Sequence, residues 1–125
     1  MAVNVIVNVK MGIVMNNLSY DELKKIYKGF KNLGDKPIII DFYADWCGPC
    51  KMFEPIFEKV GEEYKDKVDF YKVDSEEHQD LAYMFQIRSI PTLVMIPLTG
   101  ETIINPGSMN ESTLKYFVEG LISKK

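Results

Sequence analysis

Cysteine, histidine and tryptophan are scarce in this 125-residue chain, which holds two, one and one of them. Two cysteines cannot staple a small disulfide scaffold. They also fall short of a four-ligand zinc site, for which His78 is the one imidazole on offer and a second Cys-x-x-Cys is lacking. Basic charge is not in excess: 15 Lys and Arg stand against 18 Asp and Glu, a net charge of −3. That excludes the basic footprint of a nucleic-acid binder. No apolar run approaches the ~20 residues of a membrane-spanning helix. The N-terminus lacks the basic start and small-residue cleavage site of a secretory signal, so a cytoplasmic protein is expected, or a periplasmic one from which a signal has been removed.

What is there describes one folded domain. The apolar share of 46% is too high for a disordered chain, and the length suits one core rather than two. Val3, Val5, Val7 and Val9 alternate with largely polar neighbours and read as an additional edge strand. Ser19 with Glu22 fits a capping box, opening a helix that carries Leu23, Ile26 and Tyr27 on one stripe. Lys28 to Pro37 breaks it. Ile38 to Tyr43 is short and apolar enough for a strand buried on both faces. Beyond Cys50, the residues Met52, Phe53, Ile56, Phe57, Val60 and Tyr64 recur at helical spacing, with Pro55 as an expected kink.

Further strands are read at Lys67 to Asp74, Thr92 to Ile96 and Glu101 to Asn105. A short helix is read at Asp80 to Phe85. A last helix opens near Ser108 or Asn110 and carries Leu114, Phe117, Val118, Leu121 and Ile122. This order implies an α/β fold, a central mixed sheet with helices on both faces. The strand ending at Tyr43 and the one near Val73 should be parallel neighbours joined by a right-handed crossover.

The two cysteines sit together as Cys47-Gly48-Pro49-Cys50, where strand gives way to helix. Open α/β sheets place their sites at that carboxyl edge. Cys47 falls at the helix start and Cys50 within its first turn. Unpaired N–H groups there favour the thiolate of Cys47, the attacking species in disulfide exchange. Cys50, three positions on, can reach back to resolve a mixed disulfide. Gly48 tolerates the tight geometry, and Pro49 near a helix start forfeits no hydrogen bond. A zinc site and a purely structural disulfide are the competing readings. The first lacks ligands, and the second would close a tiny loop with little entropy to remove.

Asp41 interrupts the apolar strand six residues before Cys47. If buried without a partner, its pKa should rise toward neutrality; a solvated edge position is the alternative. Trp46, beside the thiol, reads as an exposed docking surface rather than a core anchor. His78 reads as a solvated loop residue, and the seven methionines as core filler.

The run Asp41-Phe42-Tyr43-Ala44-Asp45-Trp46-Cys47-Gly48-Pro49-Cys50-Lys51 is followed by Pro55, Lys72-Val73-Asp74, Ile90-Pro91-Thr92 and Gly107. In order and spacing it resembles the thioredoxin signature. The resemblance covers about Gly12 to the C-terminus and leaves residues 1–11 as an extension without counterpart. It implies a thioredoxin fold over 12–125 and a protein-disulfide reductase. Cys47 would be the exposed nucleophile and Cys50 the buried resolving thiol. Asp41 would be the buried carboxyl that assists proton transfer, with Lys72 nearby restraining the rise of its pKa.

Pro91 would be a cis-proline beside the disulfide, and the Ile90 backbone would pair with an extended substrate segment. Trp46, Gly48, Pro49, Ile90, Pro91 and Gly107 would form the substrate-binding patch. The resemblance further implies a monomer without cofactor or metal. Its partners would be disulfide-containing client proteins and a thioredoxin reductase or other dithiol donor. Two departures stand out: Tyr43 where the family commonly has tryptophan, and Pro106 where a β-branched residue is usual. The Gly-Pro centre resembles the reducing members. A disulfide oxidant or isomerase of an oxidising compartment, and a binding module without turnover, are the alternatives.

Overall fold

The computed structural model describes residues 16–28 and 31–124. The strand expected over Val3 to Val9, and with it the 1–11 extension, lies outside them. In chain order the elements are β1 (Asn16–Asn17), α1 (Tyr20–Ile26), β2 (Tyr27–Lys28), β3 (Lys31–Asn32) and β4 (Ile38–Tyr43). These are followed by α2 (Gly48–Tyr64), β5 (Asp69–Asp74), α3 (Gln79–Met84), β6 (Thr92–Ile96), β7 (Ile103–Pro106) and α4 (Glu111–Ser123).

The main sheet has the order β1-β5-β4-β6-β7. β4 lies at its centre, parallel to β5 and antiparallel to β6. That placement follows from composition: Ile38, Ile39, Ile40, Asp41 and Phe42 are all buried, and a strand flanked on both edges can bury both faces. Successive residues point to opposite faces. Ile39 packs with Phe53, Phe57 and Val60 of α2 and with Leu114, Val118 and Leu121 of α4. Ile38, Ile40 and Phe42 pack on the other side with Leu23, Leu81 and Phe85, under α1 and α3. Each fully buried side chain of this size contributes roughly 1.5–3 kcal/mol. By the same alternation Asp41, two residues after Ile39, faces α2.

Two caps are built as read. Ser19 Oγ accepts from the Glu22 N–H, and Glu22 Oε1 accepts from the Ser19 N–H, which completes the capping box of α1. Asn110 caps α4, its Oδ1 accepting the Thr113 N–H at 2.9 Å. α2 runs as one element through Pro55. Two features have no counterpart among the expected elements. The sheet edge beside β5 is formed by Asn16 and Asn17, which pair with Tyr71 and Lys72. Lys28 to Pro37, read only as a helix breaker, contributes to the antiparallel pair β2–β3, with Tyr27 turning out of α1 into extended backbone. Strands of two residues show no periodicity in a sequence.

Candidate active site

β4 ends at Tyr43, and a short turn delivers the chain into α2, so Cys47 becomes its N-cap. The Cys50 N–H donates to Cys47 Sγ at 3.2 Å, an otherwise orphaned helix donor satisfied by sulfur. The pair is joined as a disulfide with Cα atoms 5.2 Å apart, within the range such bonds require. Pro49 occupies the start of α2, where its missing N–H costs nothing.

One expectation is corrected here. The resemblance implies an exposed Cys47 and a buried Cys50, yet their relative exposures are 4% and 3%. Both cysteines cluster with Ala44, and Tyr43 and Ile90 pack against them. The backbone carbonyl oxygen of Ile90 approaches Cys47 Sγ at 3.9 Å. Ile90 and Pro91 are joined by a cis peptide bond. The Gly107 N–H donates to Pro91 O at 2.8 Å, and Gly107 reaches it with φ +90°, backbone that favours glycine. Gly107 is thereby held against the Ile90–Pro91 segment, whose Ile90 packs beside the cysteines.

Trp46 stands 67% exposed next to the disulfide. Its indole N–H donates to Glu76 Oε2 at 2.7 Å, so one edge of the ring is held and its face stays open. Glu76 has no role that the sequence alone suggests. It lies in the acidic stretch around His78, and no local pattern links it to Trp46.

Asp41 is 2% exposed, which settles it as buried rather than solvated. Its Oδ1 has no hydrogen-bond partner among the described residues. Burial pushes its pKa up to about 7; the Lys72 ammonium opposes the rise and Glu54 adds to it. Lys72, its register partner on β5, thus acts in the expected direction but is outweighed. Its ammonium is in an ion pair with Glu54 and lies 4.9 Å from the centre of the Tyr43 ring. A cavity of about 130 Å³ opens between these groups, walled by Asp41, Tyr43, Cys50, Lys51, Glu54 and Lys72. Cys50 and the buried carboxyl therefore share one small polar chamber. Glu54 escapes a reading of the sequence, although its spacing of four from Cys50 places both on one helix face. Among the described residues no group of three or more His, Cys, Asp or Glu side chains could hold a metal ion.

The thioredoxin family model matches residues 15–120. A thioredoxin of Borreliella burgdorferi is 44% identical over 86 residues, which is 69% of this chain and 74% of that protein. The solved thioredoxin of Malassezia sympodialis is similar with a TM-score of 0.70 and 38% identity, covering 84% of this chain and 87% of that one. A solved mutant thioredoxin from Halobacterium salinarum gives a TM-score of 0.72 at 31% identity, over 87% of this chain and 90% of its own. Alike in its sequence and in the path of its backbone, the chain belongs to the thioredoxin family.

Proposed function

We propose that this protein-disulfide reductase works through the two sulfurs in fixed order. In the reduced protein the Cys47 thiolate attacks one sulfur of a client disulfide. A Cys47–client disulfide forms, the client's own bond breaks, and its second sulfur leaves as a thiolate. Asp41 then takes the proton of the Cys50 thiol. The Cys50 thiolate attacks Cys47 Sγ, the mixed disulfide breaks, and the client leaves fully reduced. Two electrons pass to the client, and Cys47–Cys50 is left as the disulfide seen here. A reductase or another dithiol donor restores the dithiol. A reducing cytoplasm suits such a cycle, and no helix of the described residues is long and apolar enough to cross a membrane.

The single observation that carries this reading is the N–H of Cys50 donating to Cys47 Sγ at the head of α2. The same donor, with the positive end of the helix, stabilises a thiolate at Cys47 once the disulfide is opened. Client recognition falls to the open face of Trp46, to Gly48 and Pro49, and to the Ile90, Pro91 and Gly107 backbone. An extended client segment would lie along Ile90 as an added strand.

The experiment is insulin reduction by the wild type and two variants. Cys47→Ser should abolish turnover. Cys50→Ser should also stop turnover but accumulate a covalent mixed disulfide with the client. If Cys50→Ser turns over normally, or Cys47→Ser is the variant that traps client, the assigned order is wrong.

A further inference from the structure

Glu54 is a charged residue at this site to which the scheme above gives no part. It follows Cys50 by one helical turn on the same face of α2 and lines the cavity shared by Cys50 and Asp41. Its carboxylate holds the Lys72 ammonium. Lys72 is the register neighbour of Asp41 across β4 and β5, and so the cation best placed to favour ionised Asp41. The ion pair diverts it. The Lys72 side chain is only 16% exposed, so solvent screens this arrangement less than it screens a surface pair.

Two influences of Glu54 then share one sign. It withdraws a cation from Asp41, and it sets a second negative charge across the same chamber; both favour the protonated carboxyl. Burial, Lys72 and Glu54 act on Asp41 in the directions given above. Glu58, one turn further along α2, is raised as well, first by burial and then by Glu54. Asp41 is thus faced by Lys72 from β5, by Lys51 and Glu54 from α2 with Glu58 behind, and by Tyr43 and Asp45 from its own strand and turn. Its register partner on β6, Leu93, is apolar.

We propose that Glu54 is a positioning residue of the resolving step: by holding Lys72 off Asp41, it sets the pH at which Asp41 can take the Cys50 proton. The inference rests on Asp41 acting as acceptor for Cys50. The test follows the Asp41 carboxyl carbon by NMR across pH in the oxidised protein, where neither cysteine titrates. Wild type, Glu54→Gln, Lys72→Met and the double variant are compared, and stopped-flow resolving rates are taken on the same proteins.

In Glu54→Gln the Asp41 midpoint should move to lower pH by about half a pH unit or more. The pH profile of the resolving rate should move with it. In the Lys72→Met background the effect of Glu54→Gln should shrink to less than about half. An unmoved Asp41 midpoint overturns the proposal, as does an equal shift in both backgrounds. A midpoint that moves while the resolving profile stays put overturns it too, and places the fault in the role of Asp41. Failure of the reductase reading would look different: the wild type itself would leave insulin disulfides intact.

Discussion

Asp41 is buried in the central strand of the sheet, and that position has a thermodynamic signature. An unfolded aspartate titrates near ~4, whereas here the carboxyl is held at about 7, chiefly by burial. With the folded value raised, the neutral acid is tolerated fully below about pH 4. Stability then declines as pH rises from about 4 to about 7, and stays lower above that. At ~1.36 kcal/mol per pH unit the cost reaches up to about 4 kcal/mol. Asp41→Asn removes the charge and so the dependence. Urea unfolding of the oxidised proteins should find the variant more stable than wild type by about 2–4 kcal/mol at pH 8, with the gain gone near pH 4. A difference that does not change with pH would contradict this account of Asp41. A folded state kept less stable by one buried carboxyl is the cost expected at a functional site, in keeping with the role proposed for Asp41.

At the scale of elements, α2 supports the chemistry and the core together. Its buried face, with Phe53, Phe57 and Val60, anchors it on the sheet, and its N-terminus delivers Cys47 and Cys50. Phe57 meets Phe70 of β5 edge-on at 5.4 Å. α4 braces this helix from outside, with Lys59 to Glu111 at 3.1 Å and Tyr64 to Glu119 at 2.6 Å. Both contacts are exposed, so they add little beside the packing of Leu114, Val118 and Leu121. The start of α4 depends more on its cap. Asn110→Ala strands the Thr113 N–H and should lower stability by about 1 kcal/mol, read as an earlier urea midpoint at unchanged slope. Insulin reduction at 25 °C should be little changed, because Asn110 is neither one of the cysteines nor among the residues assigned to client recognition.

Across the whole molecule, helices and longer strands were legible and the two-residue strands were not. Ile38 to Tyr43 and Thr92 to Ile96 announce central strands by their largely apolar character, and α2 and α4 show a stripe at helical period. The two asparagines of β1 and the four residues of β2 and β3 carry no such signal. The site divides in the same way. Cys47-Gly48-Pro49-Cys50 states its chemistry in adjacent residues, and Asp41 betrays itself as a charge in an apolar run. Glu54 and Glu76 do not: an acidic side chain on a helix or loop reads as solvated until the fold brings Lys72 or Trp46 against it.

The central claim is that Cys47, at the head of α2, is a thiolate when reduced and is therefore the attacking sulfur. Alkylation of reduced Cys50→Ser by iodoacetamide at pH 7 tests it most directly, since that variant keeps the Cys50 backbone N–H and has one thiol to modify. An ordinary cysteine is only a few per cent thiolate at this pH. Cys47 should react faster than free cysteine by about tenfold or more. A rate equal to that of free cysteine would contradict the account.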